Sequence, residues 1–211
     1  MESPLCPVEP EFRLIETFGY HPGTGFVRLD LHLARLARSA HAFGILFDSQ
    51  SVRELLQDKG GETALRCRLT LARDGALDLT TAPLAENPPA WRLQISNARL
   101  DSTDLWLRHK TTRRTLYDTA RAALPKGIDE LLFLNERDEL CEGTITTLFV
   151  TTKNGKRLTP PLTSGLLPGI LRHSLLEKGD YKEGTLTLSD LRNVQSLFVG
   201  NSLRGLIKAS L

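Results

Sequence analysis

Cysteine is scarce in this chain, 3 among 211 residues, at Cys6, Cys67 and Cys141. The number is odd and no Cys-x-x-Cys pair occurs, which excludes a disulfide framework and a thiolate zinc site. All three are expected to be free thiols of a reducing compartment. Aromatic residues make up only 6% and the formal net charge is only +2. Neither a base-stacking platform nor a basic tract is present, so nucleic acid is not an expected partner. No apolar run approaches the roughly 20 residues that span a bilayer. Met1-Glu2-Ser3-Pro4 lacks the basic start and apolar stretch of a secretory leader. A cytoplasmic protein without metal or membrane partner is expected. Walker loops and the GxGxxG turn are missing too, which removes the common nucleotide cradles.

The material for a core is ample, with 40% apolar and 25% charged residues, as in ordinary globular domains. Residues 12–18 alternate as a strand, with Phe12, Leu14, Glu16 and Phe18 on one side. His21-Pro22-Gly23-Thr24-Gly25 is a turn, and residues 26–31 start a return strand. Residues 30–43 keep helical spacing through Leu33, Leu36, Ala37 and Ala40, with Gly44 as terminator. A second helix is predicted over 52–57, where Ser51 and Glu54 suit a capping box. Residues 62–72 and 76–81 form a hairpin about Arg73-Asp74-Gly75.

A strand over 91–97 is followed by a polar stretch, 97–104, that suits a lobe boundary. Beyond it come a helix over 111–124, strands over 130–135 and 145–152, and a helix from Pro168 to Lys178 with proline at its first position. Residues 185–188 read as a short strand, with Ser189 capping a turn of helix. Segments 196–200 and 203–207 complete an α+β chain of two lobes, divided as 1–100 and 101–211.

Three features carry chemistry. Gly165-Leu166-Leu167-Pro168-Gly169-Ile170-Leu171 opens a small-residue loop onto a helix, whose free N–H groups and dipole favour an anion. Its plain structural reading is a loop before a Pro-started helix. Glu142 precedes a β-branched run, where a carboxylate could keep a ring nitrogen protonated and make a pyridine an electron sink; alternatively it is a solvated strand end. Lys110 stands in His109-Lys110-Thr111-Thr112-Arg113-Arg114. There His109, Arg113 and Arg114 would disfavour the ammonium form, as an amine that attacks an aldehyde requires. Otherwise it is one exposed lysine among many.

The order of these motifs resembles the class IV, or fold-type IV, pyridoxal-phosphate enzymes over nearly the whole chain, residues 12–211. Ile15-Glu16-Thr17-Phe18 is similar to the family's F-E-T-x-R strand, and Leu29-Asp30 with His32-Leu33-Ala34-Arg35-Leu36 to its D-x-H-L-x-R-L helix. Residues 142–150 resemble E-G-x-x-x-N-L-F. Residues 158–172 match T-P-P-x-x-S-x-L-P-G-I-x-R closely, and Phe198-Val199-Gly200-Asn201-Ser202 resembles the closing strand and loop.

The resemblance implies a two-lobed, D-amino-acid-aminotransferase-like fold with a small α/β lobe and a larger, mostly β lobe. It implies pyridoxal 5'-phosphate as cofactor, a small-molecule substrate and a homodimer. Lys110 would be the Schiff-base lysine and the base that moves the substrate proton. Glu142 would pair with the pyridinium nitrogen and Leu167 would pack on the ring. Arg35, Asn201 and the N–H groups of Ile170 and Leu171 would hold the phosphate. In the alternative reading Arg35 lies on the solvated face of its helix.

Departures are Thr147 in place of asparagine, Gly19 in place of the strand arginine, and Thr115 where branched-chain enzymes carry a tyrosine. Tyr117 stands two residues beyond that tyrosine's place. Thr17 matches a threonine that lyases of the family carry near the leaving group; alternatively its hydroxyl bonds backbone. Arg114 also fits the lyase pattern better, and Arg114 and Arg204 are candidate carboxylate binders, or surface arginines. The expected activity is that of a 4-amino-4-deoxychorismate lyase, releasing pyruvate and forming 4-aminobenzoate for folate synthesis. The alternatives are an amino-acid aminotransferase, branched-chain or D-amino acid, and a degenerate relative that binds cofactor without turnover.

Overall fold

A computed structural model of the chain describes residues 11–211; the expectations for Cys6 and for Met1 to Pro4 lie outside them. Strand β1 (Leu14–His21) turns through Gly23 and Gly25 into β2 (Gly25–Phe26), and helix α1 (Leu29–Ala42) and helix α2 (Ser49–Leu56) follow. The expected hairpin forms as β3 (Leu65–Leu71) and β4 (Leu77–Pro83), joined at Gly75 with φ +87°. These strands make a sheet of order β2-β1-β3-β4. Leu14 and Phe18 of β1 close one core with Leu33 and Leu36 of α1 and Val52 and Leu56 of α2. The spacing that predicts α1 is therefore the spacing that seals this sheet.

Strand β5 (Ala90–Leu100) leads to a 3₁₀ turn (Leu105–Arg108) and helix α3 (Thr115–Ala122). Strands β6 (Glu130–Asn135), β7 (Leu140–Gly143), β8 (Thr147–Thr152) and β9 (Arg157–Thr159) come next. Helix α4 (Ile170–Glu177), β10 (Lys182–Glu183), α5 (Leu188–Leu191), β11 (Val194–Asn201) and β12 (Gly205–Ser210) end the chain. The second sheet runs β10-β9-β8-β11-β12-β5-β6-β7, and β7 also pairs with β8 at Glu142 and Thr147. Six strands thus close into a barrel, filled by residues such as Trp91, Leu134, Leu148, Val199 and Ile207. Closure leaves β7 and β8 no free edge between them. Helices α3 and α4 pack on the barrel's outside through Phe133 with Tyr117 and Ala120, and through Phe149 with Leu171.

Several expectations need correction. The passage between sheets falls at 84–89, ahead of the predicted 97–104, because β5 pairs with β6 and β12 and so belongs to the barrel. Helix α2 starts earlier than predicted, capped by Asp48, whose carboxylate accepts from Gln50 and Ser51 N–H; Ser51 spends its hydroxyl on Asp48. Pro168 precedes Gly169, the true N-cap of α4, since the Gly169 N–H closes a tight turn to the Leu167 carbonyl at 2.8 Å. Thr187, not Ser189, caps α5, through a capping box with Asp190, and the strand predicted at 185–188 does not form. Strand β7, with its turn into β8, has no counterpart in the sequence reading. Among the described residues no helix is long and apolar enough to cross a membrane.

Candidate active site

A cavity of about 760 Å³ opens between the small sheet and the barrel end, lined by Thr17, Arg35, Lys110, Glu142, Ile170 and Asn201, among others. Lys110 reaches it from an extended segment docked on β1. The Lys110 carbonyl accepts the Ile15 N–H at 2.8 Å, and Leu14 bridges Thr111. Side chains alternate along β1: Ile15 and Thr17 line the cavity, whereas Leu14 and Phe18 enter the core. The Lys110 amine is brought down to about 8, by burial first and then by Arg35 and Arg114, with Glu16 and Glu142 pulling the other way. At pH 7 about a tenth of such an amine is neutral and nucleophilic. Of the cations expected to help, Arg114 does so. His109 instead bonds the Ser39 hydroxyl, and Arg113 stacks on Trp106 at 4.2 Å. The cation that the sequence did not associate with Lys110 is Arg35.

Arg35 is 5% exposed, so the solvated-face reading fails. Its Nε and Nη2 donate to Glu16 Oε1 and Oε2 at 2.8 and 2.6 Å, and its Nη1 donates to the Pro168 carbonyl at 3.2 Å. Glu16, the polar member on the apolar side of β1, has an equally buried second partner in His32, whose Nδ1 donates to Oε2 at 2.6 Å. Burial pushes the His32 pKa down despite Glu16. The neutral ring therefore accepts from the Ser202 hydroxyl at Nε2, 2.9 Å away. This network joins β1, α1, the loop before α4 and the β11–β12 turn. Glu16, His32 and Ser202 were not picked out as site residues; the available signal was a carboxylate at a core position, which needs a buried cation.

Glu142 accepts the Tyr117 hydroxyl at Oε1 (2.7 Å) and the Leu167 N–H at Oε2 (3.2 Å). It is buried, so the solvated strand-end reading fails. Burial raises its pKa to about 7 against the pull of Tyr117, Leu167, Lys110 and Arg114. A carboxylate held there is stabilised by any cationic N–H brought against it. Tyr117, beyond the expected tyrosine place, thus serves the carboxylate. Glu130, also missed, organises the turn after Glu142. Its carboxylate accepts from the Thr144 and Ile145 N–H groups at 3.0 and 3.2 Å and from the Thr146 hydroxyl at 3.1 Å. A Cβ at Gly143 would stand 2.5 Å from Thr146 Oγ1 and 2.9 Å from the Glu130 carboxyl carbon, so a larger residue would displace this cluster.

Gly169 gives α4 no side-chain cap, and the first bond of its ladder is His173 N–H to the Gly169 carbonyl. The N–H groups of Ile170 and Leu171 precede that bond and are positioned for an anion. A Cβ at Gly169 would stand 2.7 Å from Thr147 Oγ1, which links the departure at Thr147 to the glycine of this loop. Leu167 and Ile170 line the cavity, whereas the Leu171 side chain turns to Phe149 and Tyr181, leaving only its backbone for a ligand. Asn201 uses Oδ1 for the Leu203 and Arg204 N–H groups and one Nδ2 hydrogen for the Ile145 carbonyl. It fixes the turn and has a single hydrogen left to donate.

Arg114 is anchored by Asp118 at 2.7 Å and donates to the Thr144 carbonyl at 2.9 Å; Arg204 donates to Asn87 Oδ1 at 2.9 Å. Both line the cavity, which overturns their surface reading. The donor set fits an aromatic aldehyde phosphate. It offers a partly neutral amine, a carboxylate short of a cation, an apolar side chain, and a helix start beside a buried guanidinium. Among the described residues no group of acidic, His and Cys side chains could hold a metal.

Residues 13–211 match the family model described as amino-transferase class IV. A Schizosaccharomyces pombe protein provisionally named aminodeoxychorismate lyase is 30% identical over 95% of this chain and 90% of its own length. A Mesorhizobium loti structure, provisionally named an amino-acid aminotransferase, superposes with TM-score 0.90 at 47% identity, covering 95% of this chain and 99% of that one. A Mycobacterium tuberculosis hypothetical aminotransferase, in its PLP-bound form, shares the fold at TM-score 0.76 and 19% identity, over 93% and 80% of the two chains.

Proposed function

The chain belongs to the class IV aminotransferase family, and from that premise we propose that it binds pyridoxal phosphate at Lys110 and cleaves 4-amino-4-deoxychorismate to pyruvate and 4-aminobenzoate. The carrying observation is that Lys110, Glu142 and the start of α4 line one cavity with the Thr17 hydroxyl on its wall. The S. pombe relative's provisional name supports the same reaction. A homodimer, two lobes and a cytoplasmic setting belong to the same reading.

When bound, the cofactor supplies an electron sink for the carbon that carries the substrate amine. Arg35 and the N–H groups of Ile170 and Leu171 would hold its phosphate, Leu167 its ring face and Glu142 its ring nitrogen. The Lys110 amine would be the base that takes the proton from that carbon. The bond from the ring carbon to the enolpyruvyl oxygen then breaks, and the electron pair leaves with the oxygen. Thr17, which lines the same cavity, would hand that oxygen a proton and regain one from the protonated Lys110. Aromatisation supplies much of the driving force, so the protein's task is orientation and proton movement.

An aminotransferase is the second reading, favoured by the name of the 47% identical structure. The experiment that separates them feeds 4-amino-4-deoxychorismate to the holoenzyme. Equimolar pyruvate and 4-aminobenzoate are expected. Glutamate-dependent amination of a 2-oxo acid without pyruvate release would overturn the lyase.

A further inference from the structure

A second cleft, of about 580 Å³, lies on the outer face of the barrel, beside the C-terminal end of α4. None of its lining residues lines the cavity that holds Lys110. Side chains alternate along β11, so Leu197 and Val199 fill the barrel while Phe198 faces outward with Tyr181 and Leu175. Leu206 of β12 lies opposite Gly200, two residues beyond Phe198. Directly opposed residues of an antiparallel pair share a face, and Leu206 is 39% exposed there. Phe198, Leu175 and Leu206 give the cleft an apolar floor.

The polar groups on this floor are few. Tyr181 is 6% exposed, with its ring edge-on to Phe149 at 5.1 Å. The hydroxyls of the other two tyrosines, Tyr20 and Tyr117, donate to protein oxygens. That of Tyr181 has no partner among the described residues. No fully buried side-chain N or O atom among them lacks one, so the hydroxyl is the part of Tyr181 that reaches the cleft. Burial raises the Tyr181 pKa, Arg157 lowers it and Asp180 raises it, so both charges are felt at the hydroxyl. Among the described residues neither Arg157 nor Asp180 has an opposite charge within 4 Å.

We propose that this cleft is a second binding site, selective for a small aromatic monocarboxylate. The ring lies on Phe198, Leu175 and Leu206, and the carboxylate takes the Arg157 guanidinium and the Tyr181 hydroxyl. Convergent polar groups over an apolar floor are what fix a small ligand's orientation. Asp180 repels a second negative charge, which sets one carboxylate as the limit. The site is independent of the reaction at Lys110.

The test titrates the pyridoxal-phosphate-loaded enzyme calorimetrically with benzoate, with its neutral isostere benzamide, and with terephthalate, which has two carboxylates. Benzoate is expected to bind in roughly the millimolar range, as its size allows. It should bind at least about fivefold tighter than benzamide, and tighter than terephthalate. Binding at the cleft leaves the cofactor's absorption unmoved, which separates it from binding beside Lys110. Arg157→Gln should weaken benzoate at least about tenfold, and Arg157→Lys should keep part of the affinity. Tyr181→Phe, which preserves the ring packing, should weaken it roughly fivefold. Arg157 is exposed and outside the active site, so Arg157→Gln should keep wild-type turnover. Benzamide or terephthalate matching benzoate on the wild type would overturn the site, a measurement that needs no variant to fold. So would benzoate affinity unchanged in Arg157→Gln, or benzoate heat that appears only with a shift of the cofactor's spectrum.

Discussion

The guanidinium of Arg35 and the carboxylate of Glu16 meet through two parallel hydrogen bonds of 2.8 and 2.6 Å, with 5% and 1% of the residues exposed. Burial alone would raise the Glu16 pKa, but Arg35 and His32 outweigh it and hold the group at about 2. Charge on both partners is maintained, so Arg35 stays fixed at the start of α4 through the Pro168 carbonyl.

Glu16→Gln should therefore cost about 3–5 kcal/mol of stability near neutral pH, because it leaves a buried guanidinium without its counter-ion. The folded pKa lies below the ordinary 4.5, so the pair's contribution is complete above that value and lost as pH falls through about 2. Urea unfolding at pH 6 and pH 3.5 should show the gap between wild type and variant narrowing. A gap independent of pH would contradict the ion pair.

Lys110→Ala should abolish the borohydride-fixable pyridoxal-phosphate adduct and lower activity by at least about 10³-fold. Peptide mapping of the wild-type adduct checks the assignment, and a label on another lysine would refute it.

The depressed Lys110 pKa has a second consequence. The folded value, about 8, lies below the ordinary 10.5, so the ammonium form opposes folding below pH 8 and that cost fades as pH rises towards 10.5. Cofactor-free Lys110→Met should melt a few degrees above wild type at pH 7, with the advantage shrinking by pH 10. Scanning calorimetry at the two pH values tests it, and a constant difference would count against the buried amine.

Glu142→Gln keeps the shape of the group and removes the charge. Cofactor uptake should survive while kcat falls on the order of 10²-fold, and the bound chromophore should lose its protonated-ring absorption. An unchanged spectrum would place the ring nitrogen elsewhere.

Thr17→Val should lower lyase kcat by roughly 10²-fold or more with little change in KM, and Thr17→Ser should restore much of it, since only a proton donor is exchanged. Equal activity of the Val variant would remove Thr17 from the chemistry.

Much of the fold was legible because it rests on local rules. Helical spacing gave α1, the Asp-Gly turn gave β3 and β4, and the apolar run 130–135 gave β6 as observed. The caps were read less well. Asp48 displaced Ser51 because one carboxylate accepts two N–H groups, and Gly169 displaced Pro168 because the loop tightens before α4. Strand β7 was missed because only four residues, Leu140–Gly143, form it, and their pairing partners lie on β6 and β8.

By itself the sequence determined the order of the lysine, the carboxylate and the helix start, and with that order the family. The tertiary structure decided which charges meet. Arg35 reaches Glu16 across 19 residues and His32 reaches Ser202 across 170. The second cation beside Lys110 comes from α1, while His109 and Arg113 of its own segment turn elsewhere. Strand register put Arg66 and Arg68 across from Gly19 and Thr17. Such encounters leave no local pattern, because a charge is set by its residue type whereas its partners are set by the packing of distant elements.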